Sequence, residues 1–466
     1  MTCATGGWVP SSTGKGARDS GGGTGPLLGD PDDGLDPYLP KNGNLGYRVS
    51  RYELDLEYKV ASNRLAGTAT ITATAINTLG RFSLDLATSL SVSRVSVNGK
   101  RASRYSQRTN KLSVTPADSL PPGGAMTVVV KYSGSPKPIR GPWGEVGWEE
   151  LTEGALCASQ PNGAASWFPC DDHPSSKASY RIAITTESPY LAVANGTLQR
   201  KRTKAGSTTW IYEQVEPMAT YLATIQIGPY VQTTLSTRPV KIKAVLPERL
   251  KNNFASDFAR QKDMVSAFGE MFGPYPFPEY TVVVTDDNLE IPIEAQGLST
   301  FGANHCDGTG RSERLVAHEL AHQWFGNSLT LARWSDIWLH EGFACYSEWL
   351  WSEHSGGQSA DSLARYHHRQ LSGARQDLEI GDPGPDSMFD DRVYKRGALT
   401  LHALRVSVGD DEFFDLLKEW TREYRYSSVS TDDFTALAAR HSEGSLNRLW
   451  QQWLHEKPLP PFPEDG

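Results

Sequence analysis

Two histidines and a glutamate in one short stretch of the chain have the types and spacing of a metal-dependent hydrolytic site. His318 and His322 are four residues apart, which on a helix turns the second imidazole only about 40° from the first. Both imidazoles can therefore bind one metal ion. Glu319 lies about 100° from His318, where its carboxylate is better placed to take a proton from an activated water than to bind the metal.

A third ligand is needed because tetrahedral catalytic zinc binds three protein side chains and keeps one position open. Glu341 follows in a second helix-forming run, and Glu348 lies within about 20° of the same helix face. We therefore predict one Zn²⁺ per chain, held by His318, His322 and Glu341. Glu348 would orient a ligand histidine. The alternative is an amphipathic helix that carries two histidines by coincidence.

Four other residues of types that can bind a metal lie close to these elements in the sequence. Additional ligands are conceivable among them, but packing roles are the expectation. These residues are His305, Cys306, His340 and Cys345.

The composition of the 466 residues leaves room for two or three domains, with 38% hydrophobic content. A net charge of −8 without acidic blocks argues against nucleic acid as a partner and fits small or peptide ligands. No apolar run is long enough to span a membrane, and the first residues lack the features of a signal peptide. As it stands the sequence predicts a soluble, cytoplasmic protein, and we expect a monomer.

Residues 1–44 are rich in Gly, Ser, Pro and Asp and have no apolar period, which predicts a disordered tail. Cys3 before such a spacer resembles the start of a mature bacterial lipoprotein, so an extracytoplasmic lipoprotein is the alternative to the cytoplasm. The five cysteines are an odd number in a long chain, which argues against a disulfide framework. A single bridge between Cys157 and Cys170 stays open.

The rest of the chain divides into two parts whose apolar residues recur with different periods. Residues 45–238 alternate apolar and polar side chains in short runs between turn residues, which predicts an all-β domain of sandwich or saddle form. Residues 239–466 begin with a helical stripe of phenylalanines and continue mainly as helices. The predicted fold class is therefore α+β, with an N-terminal all-β domain followed by a mainly helical catalytic domain.

The H-E-x-x-H helix with its distant glutamate resembles the gluzincin metallopeptidases, and among them the zinc aminopeptidases that include aminopeptidase N and the leukotriene hydrolases. The resemblance covers about residues 45–455 and implies a thermolysin-like catalytic domain. Many family members continue into a further β-domain and a large helical domain that closes over the active site. We therefore expect a short form that lacks the C-terminal helical domain and has a more open cleft.

The resemblance also implies roles for three residues outside the metal stretch. Glu294 lies in I-P-I-E-A, where the family has G-A-M-E-N, and would bind the amine of the substrate. Only the glutamate of that motif is kept, which puts the neighbouring backbone contacts to substrate in doubt. Gln160, ten residues before Cys170, would assist Glu294. Tyr394, in Y-K-R-G-A, would stabilise the oxyanion of the tetrahedral intermediate.

Each of these three residues also has a purely structural interpretation. Glu294 could be a solvated charge that protects an edge strand, and Gln160 a loop amide. Tyr394 could be an ordinary buried tyrosine.

The predicted function is a zinc metallo-aminopeptidase that removes N-terminal residues from peptides with a free amine. Glu319 would be the general base for the zinc-activated water, and Tyr394 the oxyanion stabiliser. A gluzincin endopeptidase would need no amine anchor, and an epoxide hydrolase of the leukotriene kind also stays open. A non-catalytic, zinc-containing peptide-binding protein would need neither Glu319 nor Tyr394.

Overall fold

The computed structural model describes residues 35–463, which form an N-terminal domain of strands and a C-terminal domain of strands and helices. Most of the predicted tail, including Cys3, lies outside the described residues. None of the helices between residues 35 and 463 is long and apolar enough to cross a membrane.

The N-terminal domain consists of strands in which buried apolar side chains alternate with exposed polar ones. The first strand shows the pattern clearly, because it buries Tyr52, Leu54 and Leu56 and turns the residues between them outward. In chain order the strands are β1 (Tyr47–Lys59), β2 (Arg64–Ala75), β3 (Phe82–Asp85), β4 (Leu90–Val97), β5 (Lys100–Arg101), β6 (Arg104–Arg108), β7 (Lys111–Thr115), β8 (Ala125–Gly134), β9 (Ile139–Gly141), β10 (Gly144–Leu151), β11 (Gly154–Ala158), β12 (Lys177–Glu187), β13 (Leu191–Ala194), β14 (Thr197–Lys204), β15 (Ser207–Ala219) and β16 (Ile225–Gly228).

Three sheets make up this domain. The largest has eight strands in the order β14-β15-β12-β1-β2-β8-β4-β5, with β1 and β12 parallel. A five-stranded sheet, β13-β16-β11-β10-β9, and a three-stranded sheet, β3-β7-β6, complete it. Tyr52 of the large sheet packs edge-on against Phe168, and Tyr58 packs against Trp148 of the five-stranded sheet. The aromatic core therefore lies between the sheets, as in a sandwich.

The catalytic domain combines a five-stranded sheet with helices. Its sheet has the order β17-β18-β19-β21-β20, so β20 is an edge strand. The strands are β17 (Tyr230–Ser236), β18 (Lys241–Pro247), β19 (Glu279–Val284), β20 (Ile293–Ala295) and β21 (Leu298–Phe301), followed by the short parallel pair β22 (Thr330–Leu331) and β23 (Ser428–Val429). The helices are α1 (Lys251–Asp257), α2 (Gln261–Phe272), α3 (Glu313–Ala321), α4 (Trp338–His354), α5 (Ala360–Ser372), α6 (Asp391–Val408), α7 (Asp410–Glu423), α8 (Thr431–Ala438) and α9 (Asn447–Trp450), which ends in a π-helical turn (Gln451–His455).

Helices α4 and α6 cross at a pair of glycines. A Cβ atom on Gly342 would lie 2.8 Å from the Cα atom of Gly397, which is too close for any side chain. Because Gly342 follows Glu341 and Gly397 lies one turn beyond Tyr394, the close crossing brings these two side chains to the same region.

The predicted α+β fold, with an all-β domain before a mainly helical one, is confirmed. Two details differ from the prediction. Strand β17 pairs with β18, so the catalytic sheet begins at Tyr230, ahead of the predicted boundary at 238. Residues 35–44 are packed rather than disordered: Asp36 is only 1% exposed, because its carboxylate is enclosed by backbone N–H donors.

The four cysteines within the described residues are buried free thiols. Cys157 lies on β11 and faces the backbone of β10, whereas Cys170 pairs through its backbone with Asp85 on β3. The two thiols therefore belong to different parts of the domain, and the candidate bridge between Cys157 and Cys170 is not formed.

Candidate metal centre and active site

Three predicted ligands converge at one point beneath the cleft. His318 lies near the end of α3, and His322 follows the helix directly while its backbone N–H still bonds to His318 O at 3.2 Å. The Nε2 atoms of both histidines lie 3.5 Å from Oε2 of Glu341 on α4. All three side chains are buried.

The other nitrogen of each imidazole is already engaged. Nδ1 of His318 lies 2.8 Å from a carboxylate oxygen of Glu348, and Nδ1 of His322 lies 3.0 Å from the carbonyl oxygen of Phe325. Since both of these partners are acceptors, each Nδ1 carries a proton, and the neutral form of each imidazole would present the lone pair of Nε2. Both lone pairs are directed toward Glu341, as metal ligation requires.

This donor set fits a zinc ion. Tetrahedral zinc binds histidine and carboxylate at about 2.0–2.2 Å, which places neighbouring donor atoms about 3.3–3.5 Å apart. The separations of 3.5 Å between each Nε2 and Glu341 agree with that spacing. Three protein ligands leave a fourth position for water or substrate, which is the composition of a catalytic rather than a structural zinc site.

The charges around the ligands favour a cation. Burial lowers the pKa of both imidazoles, but the hydrogen bonds and charges of neighbouring carboxylates outweigh it. They raise the pKa of His318 to about 10 and that of His322 to about 9. Burial also disfavours the charged form of Glu341, yet the two histidines hold its pKa well below the usual range. The cluster therefore attracts positive charge to the point between the three ligands.

Glu319 lies beside this point without a partner for one of its oxygens. Its Oε2 atom is buried and accepts no hydrogen bond. Burial raises the pKa of Glu319 to about 8, the histidines oppose the rise, and Glu294 and Glu341 add to it. The carboxylate is thus poised to hold or release a proton near neutral pH.

Glu294 lies on the edge strand β20, on the wall of the same cavity. One carboxylate oxygen each of Glu294 and Glu319 and a ring nitrogen of His322 lie within 4.8 Å of one another. Oε1 of Glu294 is buried and has no hydrogen-bond partner. The strand is fixed at its next residue, Ala295, whose carbonyl accepts hydrogen bonds from Gln323 at 3.1 Å and Asn327 at 3.0 Å.

A cavity of about 940 Å³ connects the predicted residues from both domains. Gln160 lines it from the N-terminal domain, and its buried Nε2 atom has no hydrogen-bond partner. The ring of Tyr394 is stacked at 6.3 Å from that of His318 and lines the cavity from α6. Burial, followed by Glu341 and Glu294, raises the pKa of Tyr394 well above its ordinary value, so the phenol stays protonated and can donate a hydrogen bond.

The four additional candidates near the metal helix do not join the cluster. Among residues 35–463, the groups able to hold a metal contain only His318, His322 and Glu341, or Glu294, Glu319 and His322. His305, Cys306, His340 and Cys345 are all buried and belong to neither group, although the ring of His340 lies 6.4 Å from that of His322.

Two supporting residues escaped the sequence analysis. Arg314 donates to both oxygens of Glu348 at 3.0 and 2.9 Å and fixes the carboxylate that holds His318. It precedes His318 by one helical turn, so the helical period could have indicated it. Lys177 of the N-terminal domain is 8% exposed and reaches the loop after His322, where it donates to Ser328 O at 2.9 Å.

Lys177 makes three more contacts with the catalytic domain, to Thr330 Oγ1 at 2.7 Å, Asn327 O at 3.3 Å and Ser427 O at 3.4 Å. Because none of these acceptors is charged, burial lowers the pKa of Lys177 to about 7. No sequence signal marks it, since its partners are distant in the chain.

Comparison with known families gives matches to both domains. Residues 49–222 match the Peptidase M1 N-terminal domain, and residues 257–453 match the Peptidase family M1 domain. Aminopeptidase M1-B of Oryza sativa subsp. japonica is 28% identical over 321 residues, which are 63% of this chain and 36% of that relative. Aminopeptidase M1 of Arabidopsis thaliana is 27% identical over 334 residues, or 66% of this chain and 37% of the relative. The chain thus spans little more than a third of the length of these curated relatives.

Solved structures extend the match to a whole protein. The M1 zinc metallopeptidase from Deinococcus radiodurans is 31% identical, with a TM-score of 0.84, and the match covers 92% of this chain and 99% of that one. A mutant of the same enzyme, bound to Tyr-Ser-Ala substrate, matches with 30% identity over the same shares and an equal TM-score. Since the identity extends over both domains and nearly all of a solved relative, the chain belongs to the M1 family of zinc metallopeptidases.

Proposed function

We propose that the chain is a zinc aminopeptidase that removes N-terminal residues from peptides with a free amine. The observation that carries the proposal is the position of Glu294. A carboxylate oxygen of Glu294 lies within 4.8 Å of a carboxylate oxygen of the general-base candidate Glu319 and of a ring nitrogen of the ligand His322. The buried Oε1 of Glu294 has no hydrogen-bond partner. A protonated amine is the group that such an oxygen would bind most strongly.

The residues that would hold the zinc are His318, His322 and Glu341. When bound there, the ion supplies Lewis-acid activation of a water and of the scissile carbonyl. Glu319 accepts a proton from the attacking water and returns it to the leaving amine. The buried Oε2 of Glu319 has no hydrogen-bond partner and is available for that transfer. A divalent cation nearby would lower the pKa of Glu319 from about 8 and so favour the carboxylate that accepts the proton.

Tyr394 would donate its phenolic hydrogen to the oxyanion of the tetrahedral intermediate. A donor that stays neutral and is already in place stabilises developing negative charge without reorganisation. Its parallel stacking on His318 keeps the hydroxyl beside the ligand cluster.

Exopeptidase specificity would come from Glu294 and Gln160 together. An amine held by these two side chains places the first peptide bond, and no later one, over the ligands. Family members' G-A-M-E-N is I-P-I-E-A here, and Pro292 has no backbone N–H. Substrate binding at this edge therefore depends more on the carboxylate of Glu294 than on donation from residue 292.

The test is hydrolysis of a panel of amino-acid 4-nitroanilides and of one N-acetylated peptide by the wild type and by Glu294→Ala. Zinc content is measured in each preparation, and Glu443→Ala, an exposed glutamate that does not line the cavity, is the control. We expect cleavage of free-amine substrates only, a loss of roughly 10²-fold or more in Glu294→Ala with zinc retained, and little change in the control.

Other outcomes would assign the chain differently. Equal cleavage of the acetylated peptide would indicate an endopeptidase. Zinc binding without turnover would indicate a peptide-binding protein.

We also propose a monomer in the cytoplasm, with an extracytoplasmic lipoprotein as the alternative. Light scattering should give the mass of one chain, and fractionation of cells should leave the activity outside the membrane fraction. A dimer mass, or activity that sediments with membranes, would contradict these two proposals.

A further inference from the structure

Residues 36–44 cross from one domain to the other and contact the elements that carry the active-site residues. We call this segment the N-terminal strap. Leu39 anchors its middle in the hydrophobic core, where it is 8% exposed. Asp36 shapes the turn before it, because its Oδ1 atom accepts hydrogen bonds from Tyr38 N at 2.8 Å and Leu39 N at 3.2 Å.

The first contact with the catalytic domain is made by Asp36. Its second oxygen, Oδ2, accepts a hydrogen bond from the backbone N–H of Trp334 at 2.8 Å. Trp334 begins the 3-10 turn Trp334–Asp336, which leads into α4 and so to Glu341. The carboxylate of Asp36 therefore binds the first residue of the turn that precedes the helix with the third metal ligand.

The second contact is made by Tyr38. Its hydroxyl accepts a hydrogen bond from Gly384 N at 2.7 Å and donates one to Asp382. Gly384 has φ of 80°, a conformation that favours glycine, so the loop has a defined shape at this point. The loop leads into α6, whose first turn carries Tyr394.

The other end of the strap is fixed to the N-terminal domain. Gly43 N donates to Asp85 Oδ2 at 3.0 Å, and Asn44 N donates to Asp171 Oδ1 at 2.7 Å. Lys111 Nζ donates to Gly43 O at 2.6 Å. Because Asp85 and Asp171 are buried, this end is held as firmly as the core itself.

We propose that the N-terminal strap is a positioning device for the active site. Asp36 sets α4 for metal binding by Glu341, and Tyr38 sets the loop before α6 for the action of Tyr394. Neither residue lines the cavity, so both act through other residues. The part that concerns Tyr394 rests on the proposed aminopeptidase function, whereas the part that concerns the metal does not.

The Tyr38 contact is tested by Tyr38→Phe, which removes one hydroxyl and keeps the ring. Tyr105→Phe is the matched control, because its hydroxyl bonds to Ser93 O within the N-terminal domain, away from the cavity. We expect kcat to fall about tenfold in Tyr38→Phe, with KM within about twofold of the wild type, because the amine anchors are untouched. Hydrogen exchange of residues 381–390 should rise in Tyr38→Phe and stay unchanged in Tyr105→Phe. Wild-type kcat together with wild-type exchange in this loop would overturn the proposal for Tyr38.

The Asp36 contact is tested by the zinc affinity of the metal-free protein, measured by competition with a chelator. We expect Asp36→Ala to bind zinc about tenfold more weakly, since a loss of outer support for a ligand costs roughly 10–100-fold in affinity. Asp118→Ala, which replaces an exposed aspartate paired with Lys100, should bind zinc as the wild type does. Circular dichroism verifies that each variant is folded. Wild-type zinc affinity and wild-type exchange at the Trp334 amide in a folded Asp36→Ala would overturn the proposal for Asp36.

The two proposals fail in different ways. A wild type without aminopeptidase activity, but with zinc affinity and loop exchange that respond to the strap variants, would refute the proposed function and support the strap. If the wild type is active and both strap variants keep wild-type zinc affinity and hydrogen exchange, the proposal for the strap is refuted and the proposed function stands.

Discussion

Two groups of buried carboxylates lie in different domains, and they differ in what their oxygens contact. In the N-terminal domain, Asp85 forms an ion pair with Lys111 at 2.6 Å and accepts hydrogen bonds from Gly43, Asn44 and the backbone of Asp172. Its oxygens are thus fully engaged by donors from the surrounding chain. Such a carboxylate holds structure together.

In the catalytic domain, the carboxylates face a cavity instead of donors. Glu294 and Glu319 each keep a buried oxygen without a partner, and both line the cavity of about 940 Å³. Oε2 of Glu341 lies 3.5 Å from Nε2 of both histidines, at the point where a metal ion would be held. Burial of acidic groups is therefore common to both regions, and Asp172 of the N-terminal group also keeps a buried oxygen, Oδ2, without a partner. What distinguishes the site that does chemistry is that its free oxygens belong to residues that line the cavity.

The comparison is tested most strongly by neutralising one carboxylate in each region. Glu319→Gln should lower kcat/KM by roughly 10²–10⁴-fold, because the amide cannot accept the proton of the water. Asp171→Asn in the N-terminal cluster should change kcat/KM by less than about threefold, because Asp171 does not line the cavity and the amide oxygen can still accept the hydrogen bond from Asn44 N. Steady-state kinetics with zinc content measured in both variants decide the matter. A large loss in Asp171→Asn at full zinc content would remove the distinction between the two regions.

Two buried tyrosines extend the comparison to neutral donors. Tyr394→Phe should lower kcat roughly 10²-fold with little change in KM, because the lost hydrogen bond is made only as negative charge develops. Tyr180 of the N-terminal domain also has a buried hydroxyl without a partner, yet Tyr180→Phe should leave kcat unchanged because it is outside the cavity. Equal effects in the two variants would show that burial, rather than position at the cavity, controls the outcome.

A change at Glu348 shows whether a carboxylate of the catalytic domain whose oxygens are hydrogen-bonded contributes to zinc affinity. Glu348→Gln removes the charged acceptor of His318 Nδ1 and of Arg314, so zinc should bind roughly 10–100-fold more weakly. Competition with a chelator measures this affinity directly. Unchanged affinity would place Glu348 with the structural carboxylates of the first region.

The smallest effect concerns the pH dependence of stability in the N-terminal cluster. Burial, followed by the charge of Asp85, raises the pKa of Asp172 to about 8 from an ordinary value of 3.8. The folded state therefore holds a proton that the unfolded state releases, so this contribution to stability is present at low pH and is lost as the pH rises toward 8. Asp172→Asn has no such proton. Between pH 5 and 6.5 its stability relative to wild type should improve by roughly 2 kcal/mol, because each pH unit in this range contributes about 1.4 kcal/mol. Urea denaturation measures the change.

Parallel stability curves for the wild type and Asp172→Asn would contradict this assignment. They would mean that Asp172 is already charged in the folded protein at pH 5. The N-terminal cluster would then hold the charges of both Asp85 and Asp172 beside the single ammonium of Lys111.

The metal centre could be predicted from the sequence because its geometry is that of a regular helix. The spacing of His318 and His322 follows from the helical period, and Glu348 follows from the same period on α4. The alternation of β1 likewise predicts a half-buried strand. The roles of Glu294, Gln160 and Tyr394 came from a family resemblance, and the structure brings all three to one cavity with the metal ligands. Their roles stay predictions.

The contacts that join distant parts of the chain could not be predicted. Asp36 lies in a stretch whose Gly, Pro and Asp content is typical of disorder. Its hydrogen-bond partner, Trp334, is 298 residues away in the chain. Composition describes a segment by itself, whereas order here depends on donors from another domain. Strand β17 was assigned to the wrong side of the boundary for a similar reason, because only its pairing with β18 shows its sheet.

The buried ammonium of Lys177 has a consequence for how the protein can be divided. Its four acceptors are the carbonyl oxygens of Asn327, Ser328 and Ser427 and the hydroxyl of Thr330, so a catalytic domain separated from β12 would lose the donor that these four groups share. The lysine would in turn be left on an isolated all-β domain with no acceptors. The domain that carries the metal ligands therefore does not fold independently. Cutting or recombining the chain at the domain boundary should destabilise both domains.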